Sequence, residues 1–79
     1  MGNKDTSGVL IRVGRTIKAL REHSEMTHAE LARKLHLNKD AVVRIERGQY
    51  NMRLSTLFKI AHIFGRRLKI SFVKMKGGV

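Results

Sequence analysis

Three residue types are missing from this chain of 79 residues, which contains no cysteine, no proline and no tryptophan. The absence of cysteine excludes a disulfide framework, a thiolate nucleophile and a cysteine-liganded zinc site, and it fits a reducing compartment. Long apolar runs are missing too, since none approaches the roughly 20 residues that a membrane-spanning helix needs. We therefore expect one small domain without a membrane partner.

Negative charge is also scarce. Six acidic residues stand against seventeen Lys and Arg, which gives a net charge of +11. This balance favours a polyanionic partner, because phosphate contacts release bound counterions. A merely solvated basic surface, or one that binds anionic lipid, would carry the same net charge. The basic residues are not segregated onto one amphipathic helix, however, which disfavours a membrane surface.

Residues suited to catalysis do not form a recognisable pattern. The chain has no nucleophile paired with a base and no glycine-rich phosphate loop. The four histidines lack a metal-ligand spacing: His23, His28, His36 and His62. We predict no enzymatic activity, no metal site and no cofactor.

The N-terminal third of the chain predicts one long helix after a tail. Residues 1–8 are polar and contain two glycines, which indicates a flexible tail. From residue 9 the apolar positions follow a helical period, which predicts a first helix to about residue 23. Residues 9–13 are rich in β-branched side chains, so a short strand is an alternative for them.

The middle of the chain predicts two short helices joined by a tight turn. Thr27 and Glu30 have the spacing of a capping box, which predicts a second helix to about residue 35. Asn38 is the candidate N-cap of a third helix, from Lys39 to about Arg47, and Gly48 is suited to end it. A connection this short forces a steep crossing of the two helices.

The last third predicts a helix and then a strand. Ser55 is the candidate N-cap of a fourth helix that ends near Gly65. Leu68, Ile70 and Phe72 then alternate with other residues, which predicts a strand within residues 67–75. A lone strand leaves its hydrogen-bonding groups unpaired, so it needs a partner. The same strand of a second copy, or residues 9–13, could supply that partner. We favour a homodimer joined through the side chains of Leu68, Ile70 and Phe72.

The string THAELARKLHLNKDAVVRIERG, preceded by GRTIKALRE and followed by LSTLFKIAHIFG, resembles the Cro/C1-type (XRE) helix-turn-helix family over about Val13–Gly65. Two residues depart from the family pattern: His36 stands where a glycine is usual, and Met52 where proline is common. A residue other than glycine at 36 is expected to need a positive φ. The matching residues are Gly14, Ile17, Leu20, Arg21, Thr27, Glu30, Leu31, Ala32, Ile45, Glu46, Gly48, Leu57 and Ala61.

The resemblance implies an all-α, lambda-repressor-like bundle of four to five helices over residues 9–66, followed by the short C-terminal β-strand. It also implies a sequence-specific regulator, expected to be a repressor, that binds a palindromic operator in double-stranded DNA as a homodimer. The expected location is the cytoplasm of a bacterium, on the nucleoid when the protein is bound to DNA.

The resemblance further assigns base reading to the start of the third helix, at Lys39, Asp40, Val43 and Arg44. Lys and Arg can donate to guanine O6 and N7, Asp can accept from cytosine N4, and Val can contact a thymine methyl group. Asp40 could instead be only a favourable charge at a helix N-terminus.

Phosphate contacts are expected from residues at helix N-termini and from flanking cations. For His28 a solvated surface position is the alternative, and Asn38 could simply cap its helix. Arg21 and Glu46 are expected to pair, which would tie the first helix to the end of the third. The candidate phosphate-binding residues are His28, Asn38, Arg47, Arg53 and Ser55.

The C-terminal pattern LSTLFKIAHIFGRRLKISF is similar to HipB-like antitoxins, in which such a strand joins two subunits. That likeness implies an alternative function, in which the protein binds and neutralises a kinase-like toxin and represses its own operon. A toxin protein is therefore a second possible partner besides DNA.

Overall fold

The computed structural model describes residues 3–74, with side chains from residue 8 onward. Four helices follow one another along the chain, and no strand lies within these residues. The predicted all-α fold is thus confirmed with four helices, whereas a fifth helix and the C-terminal strand are not found in the described part. The helices are α1 (Asn3–His23), α2 (His28–Leu35), α3 (Lys39–Glu46) and α4 (Leu54–Ile63).

The core lies between the helices: α3 packs against α1 and α2, and α4 packs against α2. One wholly buried side chain comes from each of α2, α3 and α4: Leu31, Val42 and Ile60. Ala32 is also buried, and its small side chain allows α3 to lie close to α2. Leu37, in the turn between these helices, is partly buried against the same cluster, as its apolar character predicted. The turn is therefore held by packing on its inner side.

The first helix is longer than predicted. It begins at Asn3, so residues 3–8 of the expected flexible tail are helical, while residues 1 and 2 lie outside the described part. Residues 9–13 are helical as well, which rules out the strand alternative for them. Once a helix is nucleated by its buried face, each added residue gains a backbone hydrogen bond at little further cost. The helix thus continues through residues 3–8 of the polar tail.

A glycine in the middle of α1 sets the distance between α1 and α3. A Cβ atom on Gly14 would lie 2.5 Å from the carbonyl oxygen of Ile45 and 2.6 Å from that of Glu46. Both oxygens belong to the backbone of α3, so no side-chain rotation could make room. Gly14 therefore permits a backbone contact that any other residue would block.

The turn from α2 to α3 runs through a left-handed residue, as the sequence indicated. His36 has φ +58° and ψ +38°, and its N–H and that of Leu37 return to carbonyl oxygens of α2. Histidine is among the residues that adopt this region more often than most. Gly48, with φ +73°, ends α3 in the same way.

The fourth helix begins differently from the prediction. Its N-cap is Arg53, which makes no side-chain capping bond, and Ser55 lies inside the first turn instead of capping it. The phosphate role suggested for Ser55 therefore cannot rest on a cap. In this part of the chain Ile60 is fully buried, while Leu57, Ala61 and Phe64 are partly exposed.

The expected C-terminal strand is not formed in the single chain. Residues 66–74 lack regular secondary structure, and residue 75 lies outside the described part. The physical reason is that a strand needs a neighbour, and residues 9–13, the one candidate within the chain, are helical. Leu68 is partly buried against α1 and α4, whereas Ile70 and Phe72 are exposed.

Candidate nucleic-acid interface

The start of α2 is fixed by reciprocal hydrogen bonds. The backbone N–H of Glu30 donates to Thr27 Oγ1 over 3.0 Å, and the N–H of Thr27 donates to Glu30 Oε1 over 2.7 Å. The capping box predicted from sequence is confirmed. The hydrogen bond from the Thr27 backbone lowers the pKa of Glu30, because it stabilises the carboxylate.

The start of α3 is fixed by Asn38, whose side-chain oxygen accepts from the N–H of Ala41 over 2.8 Å. The cap expected there is confirmed. The following residues, Lys39 and Asp40, are exposed on the first turn of the helix. Their position is therefore determined by the Asn38 cap and by the partly buried Leu37, which both directly precede them.

The two faces of α3 are sharply different. Its inner face buries Ala41, Val42, Ile45 and Glu46. At about 100° per residue, the four proposed base readers cover an arc of about 140° on the opposite face. Three of them are exposed and Val43 is half-buried, while its neighbour Val42 lies wholly in the core, as the sequence predicted. The readers are Lys39, Asp40, Val43 and Arg44.

One reader has a neighbour that limits its motion. The guanidinium carbon of Arg44 lies 5.9 Å from the centre of the Tyr50 ring, within the range of a cation–π contact. Tyr50 itself is half-buried and packs against the core. The aromatic ring thus connects an exposed cation of α3 to the loop that follows the helix.

A buried ion pair joins α1 to the end of α3. Arg21 Nε donates to Glu46 Oε2 over 2.6 Å, and its Nη2 donates to Oε1 over 3.2 Å. Each residue is 8 % exposed. A third donor, Nη1, reaches the carbonyl oxygen of Met26 over 2.9 Å. The hydrogen bond to Glu46 raises the pKa of Arg21, and the expected pair is confirmed.

The same carboxylate has a further neighbour, which sequence reasoning missed. His28 Nε2 lies 3.0 Å from Glu46 Oε1. Since His28 is the first residue of α2, this contact connects α2 to the end of α3. Lys18 and Arg47 line the same cavity of about 170 Å³, together with Val43.

The remaining phosphate candidates lie on two sides of α3. His28 and Arg47 share one cavity, which the structure therefore brings together. Arg53 and Ser55 are exposed at the start of α4. Asn38 is exposed and uses its side-chain oxygen as a cap. Within the described residues no group of His, Asp or Glu is arranged to hold a metal ion.

The family follows from comparison with known proteins. A helix-turn-helix family model matches residues 17–70. The chain belongs to the XRE-type helix-turn-helix family. An uncharacterised HTH-type transcriptional regulator of the archaeon Archaeoglobus fulgidus is 35 % identical over 57 residues, which are 72 % of this chain and 81 % of the relative. Another, from Methanocaldococcus jannaschii, is 33 % identical over 57 residues, which are 72 % of this chain and 86 % of that relative.

A phage repressor is similar as well. The immunity repressor of Bacillus phage phi105 is 42 % identical over 53 residues, which are 67 % of this chain but only 37 % of the repressor. The family resemblance inferred from sequence is thus confirmed, and this XRE-type chain is a DNA-binding transcription regulator. These relatives lend no support to the antitoxin alternative.

The comparisons and the fold of this XRE-type regulator bear on two further expectations, which are its bacterial origin and the lack of a membrane-spanning helix. Because two of the relatives are archaeal, the comparisons do not single out the bacterial origin that we expected. No helix among residues 3–74 is long and apolar enough to cross a bilayer.

Two features of the XRE-type interface had no usable signal in the sequence. The contact between His28 and Glu46 joins residues 18 apart, and Lys18 reaches the same cavity from α1. Glu25 adopts φ +56° in the turn before α2, although its type gives no hint of a left-handed position. The contacts of His28 and Lys18 depend on how the helices cross, which local spacing does not encode.

Proposed function

We propose that this protein is a sequence-specific transcriptional repressor that binds a palindromic operator in double-stranded DNA as a homodimer. The observation that carries the proposal is the exposed face of α3, held between a capped start at Asn38 and a braced end at Glu46. A short helix fixed at both ends can present side chains to base edges in a defined register. The likeness to a phage immunity repressor supports repression as the outcome.

The proposed readers differ in the contact that each can make. Arg44 can donate two hydrogen bonds to guanine, and its contact with Tyr50 lowers the entropy lost when the side chain is fixed. Lys39 can donate to guanine, and Asp40 can accept from cytosine N4. Val43 is the apolar member and suits a thymine methyl group. Together these four residues define a short mixed sequence in each half-site.

Phosphate contacts would hold this face in the groove. His28, Asn38 and Arg47 lie at the ends of α2 and α3, and Arg53 and Ser55 lie at the start of α4. Such contacts position a protein on the duplex without reading its sequence. Their loss should weaken binding to all sequences about equally.

The homodimer is supported by exposed apolar side chains after α4. Phe72 is 100 % exposed, and Ile70 is 52 % exposed. Neither side chain packs against the core of the single chain, and that core is small. Leu68 is partly buried and lines a cavity together with residues of α1 and α4, so we assign contact with the second copy to Ile70 and Phe72. Two copies would read half-sites about 34 Å apart on one face of the duplex.

The test of sequence reading is selection of bound duplexes from a random pool, followed by sequencing. We expect two inverted half-sites about one helical turn apart. Arg44→Ala should lose about 1–3 kcal/mol on the selected site and relax the preference at one base pair. The matched control is Arg53→Ala, which should weaken all duplexes alike and reduce the salt dependence by about one phosphate contact. A pool without a preferred sequence would refute the proposal.

The test of the dimer is sedimentation equilibrium of Phe72→Ser beside Phe58→Ser. Phe58 is 50 % exposed on α4 and thus offers the same side chain outside the C-terminal segment. We expect Phe72→Ser to shift the protein towards monomer and Phe58→Ser to leave it dimeric. The reverse result would instead assign the interface between the two copies to α4.

A further inference from the structure

His28 is placed between a buried carboxylate and solvent. Its Nε2 lies 3.0 Å from Glu46 Oε1, and its side chain is 32 % exposed. The other ring nitrogen, Nδ1, has no hydrogen-bond partner among the described residues. No buried polar side-chain atom there lacks a partner, so Nδ1 must be open to solvent. The ring therefore has one fixed side and one free side.

The fixed side determines which nitrogen carries the proton in neutral His28. Glu46 receives two hydrogen bonds from the Arg21 guanidinium, and it accepts as an ionised carboxylate. A carboxylate can only accept, so Nε2 must be the N–H donor. Neutral His28 then has a bare lone pair on Nδ1. Only the imidazolium carries a proton on both nitrogens.

His28 also lines a cavity whose cationic neighbours suit a phosphate group. Lys18 from α1 and Arg47 after α3 line the same cavity as His28, and Arg21 lies behind Glu46. Phosphate oxygens are acceptors, so a bare Nδ1 would repel them, whereas an Nδ1–H group would donate to them. The two flanking cations oppose a further positive charge while the cavity is empty. A bound phosphate removes this repulsion, because its negative charge neutralises the two cations.

We propose that operator binding by this protein is coupled to uptake of a proton on Nδ1 of His28. The inference rests on the proposed function and deepens it, since it makes DNA affinity depend on pH through one residue. Binding forms an Nδ1–H···phosphate hydrogen bond, and the proton comes from solvent. Affinity therefore rises as pH falls, by at most about tenfold per pH unit for one proton.

The experiment measures proton uptake directly. The selected duplex is titrated into the protein by calorimetry in two buffers with different ionisation enthalpies, over a series of pH values. The variants are His28→Gln and His62→Gln, the second of which changes an exposed histidine of α4 in the same way. Gln at position 28 can still donate to Glu46 but cannot gain a charge, so the fold is kept. Circular dichroism at each pH checks this.

We expect the wild type and His62→Gln to take up a proton on binding and His28→Gln to take up markedly less. The difference in proton uptake between the wild type and His28→Gln should shrink at high salt, because screening weakens the attraction of the phosphate. Equal proton uptake by the wild type and His28→Gln, with tight binding by both, would overturn the inference and leave the proposed function standing. Failure of the wild type to bind a preferred duplex at any pH would overturn both.

Discussion

Removing the carboxylate of Glu46 should severely destabilise the protein. In Glu46→Leu the guanidinium of Arg21 loses its contacts of 2.6 and 3.2 Å and keeps the carbonyl oxygen of Met26 and the exposed carboxylate of Glu22, which lies 3.9 Å away. Because Arg21 is 8 % exposed, its charge cannot be rehydrated without opening the contact between α1 and α3. Breaking one partner of a buried pair costs about 3–5 kcal/mol. A domain of this length has about 4–12 kcal/mol in total, so the variant should be barely folded.

The pair as a whole should contribute far less than this loss suggests. Arg21→Met combined with Glu46→Leu removes both charges and leaves apolar side chains of similar length. Replacing a buried pair in this way is often neutral or stabilising, since the cost of desolvating two charges disappears. We expect the double variant to recover most of the stability lost in Glu46→Leu. The unpaired groups left at Met26 and His28 should prevent a full recovery.

The measurement is urea unfolding followed by circular dichroism, with linear extrapolation to water. Arg15→Met is the matched control, because Arg15 is an exposed arginine on the same helix. This control should change the free energy of unfolding by no more than about 0.5 kcal/mol. A loss below about 1 kcal/mol for Glu46→Leu, or a double variant less stable than both single variants, would refute the reasoning.

Four other variants test the backbone and the cap. Gly14→Ala should cost about 1–3 kcal/mol in urea unfolding, because its Cβ would lie 2.5 Å from the carbonyl oxygen of Ile45. Gly8→Ala, with no atom within 4 Å of its Cβ, should stabilise the helix by about 0.5–1 kcal/mol, and similar effects at both sites would argue against the close contact. His36→Gly should raise the urea midpoint, since glycine adopts φ +58° without strain, and a lower midpoint would contradict this. The pKa of Glu30 is lowered on folding, so its stabilisation should be present at neutral pH and lost as pH falls through that lowered pKa. The stability difference between wild type and Glu30→Ala should therefore shrink in acid, and a constant difference would contradict the assignment.

The caps and turns of this fold could be predicted because they depend on neighbours in the chain. The capping box at Thr27, the cap at Asn38 and the left-handed turn at His36 each involve residues at most five apart. The prediction of a cap at Ser55 was wrong, because the helix begins two residues earlier than expected, at Leu54. The resemblance, rather than periodicity, supplied the pair of Arg21 and Glu46.

The sequence by itself determined the helix-turn-helix, the outward face of α3 and the positive charge, because local periodicity, capping and composition encode them. The tertiary structure alone decided that α1 meets α3 through Gly14, and that His28 and Lys18 reach the cavity beside Glu46. These contacts join residues that are far apart in the chain. Their geometry follows from how the helices cross, and no local spacing specifies that crossing.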